Sequence, residues 1–198
     1  MKQNEISAQR RQQILEATCR CLQQKPFHAL TIKEIAQEAN ISYGLVHFYF
    51  DSKNKLLSEV INYINGYFGE ALLCVIKPYM HRTLTHAEIL DFFQKWMHLY
   101  IDDQYAFYNK IWYDISAQSR FASDVDFSAA HIAYDRAVAE PLGRLLAQNE
   151  DYQTVYSWMI TYMEGMALRI YLYGYDPNTE VENGLRFLNL LLERIQHQ

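Results

Sequence analysis

Glycine and proline are scarce, with seven and four residues in a chain of 198. An all-β fold with many tight turns needs more of both, and a phosphate-cradling loop needs its glycines clustered. Cysteine is limited to three residues, an odd number that makes no disulfide framework. Cys19 and Cys21 have no second pair, and their i,i+2 spacing on a helix sets the sulfurs apart, so they read as small apolar residues and not as a zinc site. Long hydrophobic runs are missing too. The stretch from Ala71 to Ile76 is typical of the longest, far short of the roughly 18 apolar residues of a membrane span. Polar residues follow Met1, so no secretory leader is expected. The seven histidines form no His-Glu-x-x-His pattern, and no Gly-x-Ser-x-Gly turn holds a nucleophile. Asp102, Asp103, Asp124 and Asp126 read as helix-end or surface acids. No catalytic residue, no cofactor and no metal are expected, and no membrane partner. With 50% hydrophobic and 21% charged residues the composition is globular, and a cytoplasmic protein is expected.

Charge is unevenly spread. The net charge is −5, yet residues 1–57 carry eight Lys or Arg against five acids, a net of +3, and the remainder carries −8. A small anion-facing module on an acidic body is one reading of that split; chance sampling of surface charge is the other.

The chain reads as all-α, with about nine helices and no convincing strand. The first runs from about Ser7 to Gln24, with Ile14, Leu15, Ala17, Thr18, Cys21 and Leu22 on one face. Lys25-Pro26 ends it. Thr31-Ile-Lys-Glu34 is a capping box that opens a short helix burying Ile32, Ile35, Ala36 and Ala39. Asn40 tolerates a left-handed turn, and Ser42 is an N-cap for a helix to about Tyr49. Asp51-Ser52 opens a long helix to about Pro78. Thr85-His-Ala-Glu88 is a second capping box, for a helix to about Asp103. Helices over about 105–119, 123–148 (kinked at Pro141) and 151–173 follow. Gly174 stops the last of these, and Asp176-Pro177 starts the final helix.

Two short helices joined by a three-residue turn are a helix-turn-helix, and its packing makes demands that residues 31–50 meet. Ala36 is the small residue where the second helix crosses, Asn40 the left-handed-tolerant turn residue, and Val46 the branched apolar residue facing back. Ile32, Ile35 and Ile41 fill the gap between. An ordinary αα-hairpin shares this spacing; the capping box and the basic bias favour DNA binding.

The segment from Thr31 to Leu57, TIKEIAQEANISYGLVHFYFDSKNKLL, resembles the DNA-binding segment of tetracycline-repressor-type (TetR family) regulators. With the preceding helix the likeness covers about 50 residues, and the length and helical remainder agree with the family. Ile111–Ala117 and Glu164–Arg169 look like the betaine/choline-regulator (BetI-like) subgroup. His47 and Phe48 depart from the family pattern, which usually has Tyr at the first and His or Tyr at the second, so operator sequence does not transfer from relatives.

The resemblance implies a division into a DNA-binding domain, 1–51, and a helical ligand-binding and dimerisation domain, 52–198. It implies phosphate contacts from Thr31, Tyr49 and Lys53, groups that suit phosphate oxygens. It sets Lys33, Tyr43, Gly44 and His47 at base-facing positions, beside the capping Ser42. The expected partners are a double-stranded DNA operator, a second copy of the chain and a small-molecule effector that releases the DNA. Val181, Leu185, Leu188, Leu192 and Ile195 step by 4, 3, 4, 3, and Met159, Met163, Met166 and Ile170 make a similar stripe. Both suit a four-helix dimer seam, and equally an intrachain core. Residues 58–198 hold 14 Tyr, 7 Phe and 3 Trp. From these Trp96, Tyr100, Tyr108, Trp112, Trp158 and Tyr162, with the carboxylates of Asp114 and Glu164, are candidates for an aromatic, lipophilic or cationic effector. A helical enzyme, or a ligand-binding or protein-interaction module without sequence-specific DNA binding, stands as the alternative.

Overall fold

The computed structural model describes residues 2–80, 84–119 and 152–196, and every regular element among them is helical. In chain order these are α1 (Lys2–Gln24), α2 (Ile32–Glu38), α3 (Tyr43–Tyr49), α4 (Lys53–Ile76), α5 (His86–Ile101), α6 (Asp103–Ser119), α7 (Tyr152–Tyr173) and α8 (Pro177–Gln196). Short 3-10 turns cover Phe27–Ala29 and Lys77–Tyr79. The helix expected over 123–148 lies outside the described residues.

Local chemistry sets most of the boundaries. The Thr31 hydroxyl accepts from the Glu34 amide at 3.3 Å while the Glu34 carboxylate accepts from the Thr31 amide at 2.8 Å. Thr85 and Glu88 repeat the arrangement. Such caps satisfy amides that have no partner inside the helix and are worth about 1 kcal/mol each. Ser52, and not Asp51, caps α4, accepting from the Lys55 amide at 3.1 Å. Asp176 caps α8 by accepting from the Thr179 amide at 2.8 Å. Asn40 has φ +52° and Gly174 φ +70°, the left-handed corners expected of them. Two ends differ from expectation. α1 begins at Lys2, because its polar first turns are good helix formers and Glu5 suits the positive end, although they present no apolar face to read. α4 ends at Ile76, with Pro78 inside the following 3-10 turn.

Two compact units divide the described residues, 2–66 with 110–119 and 67–80, 84–109 with 152–196. In the first, α1 packs on α2 and α2 on α3, around Ile14, Ala17, Leu30, Ile35, Ala36, Val46 and Phe50, all buried. Cys19 is buried there and Cys21 only half-buried; burial pushes the Cys19 thiol up to about 12, so it is held as an uncharged apolar filler. Ile32 and Ile41 are half-buried at the edge of this core.

In the second unit α5 packs against both α7 and α8. Phe92, Phe93, Trp96 and Met97 of α5 are fully buried with Met159, Met163, Met166 and Leu188. Glu180 is buried but accepts from Arg169 at 2.8 and 3.0 Å, and the same guanidinium lies 3.9 Å over the Tyr175 ring. α8 comes close to its neighbours at Gly184, where a Cβ would fall 2.5 Å from the Tyr162 ring and 2.6 Å from the Met97 sulfur. Tyr162 has little room to retreat: its hydroxyl donates to the Glu180 carbonyl at 2.7 Å and its ring stacks on Phe187. Gly184→Ala is therefore expected to cost about 1–3 kcal/mol of stability despite the better helix propensity of Ala. Urea unfolding reads this directly, and an unchanged midpoint would show that the core has slack at this crossing.

Candidate nucleic-acid interface

α3 has seven residues, too few to hold a helix without tertiary support. Ser42 caps it, accepting from the Leu45 amide at 3.3 Å. Val46 (0% exposed) and Phe50 are buried beneath it, which turns Tyr43, Gly44, His47 and Phe48 outward on one face. Tyr43 and His47, one turn apart, meet edge-on with centroids 4.6 Å apart. Thr31 and Lys33 are exposed at the start of α2. All of Thr31, Lys33, Ser42, Tyr43, Gly44 and His47 are thus solvent-facing on α2, α3 and their caps. Tyr49 and Lys53 are half-buried. Lys53 donates to the His28 carbonyl at 3.4 Å and lies 4.4 Å from the Phe27 ring centre. Burial holds its ammonium below the usual value, against a smaller opposing pull from Glu34.

The basic residues of this unit are not all turned to a ligand. Arg20 pairs with Glu38 at 2.7 Å, and Lys25 pairs with Glu34. Arg11 donates to the Tyr49 carbonyl at 3.1 Å, pairs with Glu59 at 3.3 Å and covers the Phe50 ring at 4.8 Å. These three are struts between α1 and the two short helices. No local pattern around Arg11 announces this, since its partners lie 38 or more positions away. Phe48 is the exposed residue that sequence reasoning did not count at this face, although its departure from the family pattern marked it.

Residues 14–60 match the family model of bacterial regulatory proteins described as the tetR family. The helix-turn-helix belongs to the tetR family. Over 63 N-terminal residues the chain is 38% identical to the HTH-type transcriptional regulator BetI of Serratia proteamaculans (strain 568) and to that of Yersinia pestis. Each match covers 32% of this chain and 32% of the relative, so it spans about a third of either protein and does not take in Ile111–Ala117 or Glu164–Arg169. The fold is also that of a transcriptional regulator from Rhodococcus sp. Rha1 (TM-score 0.72, 12% identity, 91% of this chain and 94% of that one). A TetR transcription regulator from Haloarcula marismortui ATCC 43049 is similar (TM-score 0.69, 19% identity, 91% and 95%). The tetR family is one of regulatory proteins and not of enzymes. Among the described residues no cluster of His, Cys, Asp and Glu is arranged to hold a metal, and no helix is long and apolar enough to cross a membrane.

The other candidate residues are distributed unevenly. Trp96 and Tyr100 are buried, Tyr108 and Tyr162 half-buried, and Trp158 and Glu164 exposed, all in the second unit; Trp112 (half-buried) and Asp114 (exposed) belong to the first. Tyr100 and Tyr108 are linked through rings that the sequence reading did not select. Tyr100 meets Phe68, which meets Tyr105, which meets Tyr67, which meets Tyr108, with centroid separations of 4.7 to 5.7 Å. The Trp96 indole N–H is buried without a hydrogen-bond partner. Of the candidate dimer residues, Met159, Met163, Met166, Val181, Leu188 and Leu192 are buried within the single chain. Ile170 and Leu185 are half-buried, and the Ile195 side chain lies outside the described residues. Among the described residues, the outward large apolar side chains of these helices are Trp158, Leu172, Tyr173, Phe187 and Leu190.

Glu34 joins the cap of α2 to α1, and this gives a test of the interface's support. Its carboxyl is held down to about 2, from an ordinary 4.5, first by the Lys25 ammonium and then by the Thr31 hydroxyl and amide. A depressed folded value stabilises the fold fully above about pH 4.5, and that contribution is lost as the pH falls through about 2. The gap in melting temperature between the wild type and Glu34→Gln should therefore be widest near neutral pH and close on acidification. A gap independent of pH would show that the ionised carboxylate contributes nothing.

Proposed function

We propose that this protein is a homodimeric transcription regulator that reads a palindromic DNA operator and is released by a small-molecule effector. The observation that carries the reading is the outward face of α3, where Tyr43, Gly44 and His47 stand exposed on a helix held from behind by Val46. A helix-turn-helix presents its second helix to the major groove, where Lys33 and His47 can hydrogen-bond base edges. Thr31, Ser42, Tyr49 and Lys53 take phosphate oxygens and set the register. Residues 1–51 are the reading head and residues 52–198 bind the effector and the second copy.

So short a reading helix covers few base pairs, so two half-sites about one helical turn apart, near 34 Å, are required, and with them a dimer. Leu172, Tyr173, Phe187 and Leu190 supply outward apolar surface on α7 and α8 for that pairing, with Ile170 and Leu185 at its edge. The effector is aromatic, lipophilic or cationic, drawn to the aromatic side chains of 58–198; a hydrogen-bond acceptor on it would satisfy the Trp96 indole N–H. It need only bind the DNA-released state better, by a coupling of about 1–3 kcal/mol. The sense of regulation is repression, and a DNA partner sets the protein in the cytoplasm. An interaction module that meets a protein partner through α3 is a second reading, favoured by the exposed Phe48.

Selection of binding sites from a random duplex pool tests the reading. An enriched inverted repeat is expected; only weak, salt-sensitive binding without an enriched site would overturn it. On the selected operator, Lys33→Ala and His47→Ala should relax sequence preference, whereas Lys53→Ala should weaken binding to all DNA and lower the salt slope by about one. Equal losses on every sequence for all three variants would overturn these roles. For the effector, a quaternary amine present at about 100 times its Kd should stabilise the protein by about 2.7 kcal/mol. No shift in melting temperature across a panel of such amines would remove the cationic version.

A further inference from the structure

Two residues on the outward face of α3 do nothing for the fold. Phe48 is 77% exposed, with its ring edge-on to Tyr49 at 5.2 Å. Gly44, one turn before it, has no left-handed φ, and a Cβ there would meet nothing within 4 Å. Neither packing nor backbone conformation requires glycine at 44 or an aromatic ring at 48. They share a face with Tyr43 and His47, whose own rings pair across one turn. The second pair of this face is therefore a bare turn of backbone followed by an apolar ring.

In the major groove the C5 methyl of thymine is the apolar group on the base edges. A bare turn lets the helix approach the groove floor closely. The ring at 48 meets Tyr49 edge-on and leaves the gap at 44 open, since nothing lies within 4 Å of a Cβ placed there. We propose that Phe48 is a specificity-determining residue that reads thymine through its methyl group, with Gly44 providing the approach. The inference rests on the DNA-binding function proposed above.

The test removes the methyl and nothing else. Deoxyuridine replaces each thymine in turn in the selected operator, and binding is compared for the wild type, Phe48→Ala and Phe48→Leu. The wild type should lose about three- to fivefold in affinity at one or two positions per half-site, the worth of one buried methyl. Phe48→Ala should bind the thymine operator correspondingly more weakly and show no further loss with uracil at those positions. Phe48→Leu should keep part of the methyl dependence. Because the ring is exposed, both variants should melt with the wild type. Uracil penalties that are the same in the wild type and Phe48→Ala would overturn the assignment alone. So would full operator affinity in Phe48→Ala, the result expected if the ring serves a protein partner. Failure to enrich any operator would overturn the DNA-binding reading and the assignment with it.

Discussion

Burial of Val46 decides which way α3 faces. The helix has under two full turns, no stability of its own and one fully buried position in its middle. Taking that side chain out of water is worth about 1.5–3 kcal/mol, and it can be done in only one rotation of the helix. The rotation is possible because Ala36 is small where the two helices cross and because Asn40 accepts φ +52° at the corner. Once Val46 and Phe50 are inward, Tyr43, Gly44, His47 and Phe48 must be outward. The composition of the exposed face follows from a packing constraint on buried residues.

The charge of the first unit is used in two ways that net charge does not separate. Arg11, Arg20 and Lys25 tie α1 to the ends of α2, α3 and α4 through Tyr49, Glu38, Glu34 and Glu59. Exposed pairs of this kind contribute little each, but Arg11 adds a carbonyl and a ring face to its ion pair and spans three elements. Lys53 is drawn toward the Phe27–Ala29 turn. An ion pair removes a cation and an acid together, so the net excess stands while Arg11, Arg20 and Lys25 are taken up inside the unit.

The second unit is held differently. Its core is a sheath of aromatic and methionine side chains, with buried polar anchors between the helices. The Tyr100 carbonyl accepts from both Asn109 and Tyr171, and Glu180 is matched by Arg169. A buried carboxylate of this sort is costly to leave without its partner, so the pair sets register between α7 and α8 more than it adds stability. Gly184 sets their separation at the same crossing.

Helix type, the capped helix ends and the helix-turn-helix were legible in the residues, because capping boxes, left-handed corners and the Ala36, Asn40, Val46 spacing are contacts between residues a few positions apart. The heptad steps of α8 were legible as a stripe, but a stripe records that a face is buried and not what buries it; Val181, Leu188 and Leu192 are covered within the chain. The same limit explains Cys21, assigned to the apolar face of α1 yet only half-buried, while Cys19 two positions before it is the buried one. It explains the aromatic residues as well, since Tyr67 and Phe68 meet Tyr100, Tyr105 and Tyr108 from a different helix. The sequence by itself determined the helices of the described residues and a tetR-type helix-turn-helix, because short-range hydrogen bonds and periodicity are written locally. Tertiary structure alone decided which cations became struts, which stripe became core and that Phe48 stands in solvent, because each depends on partners tens of residues away.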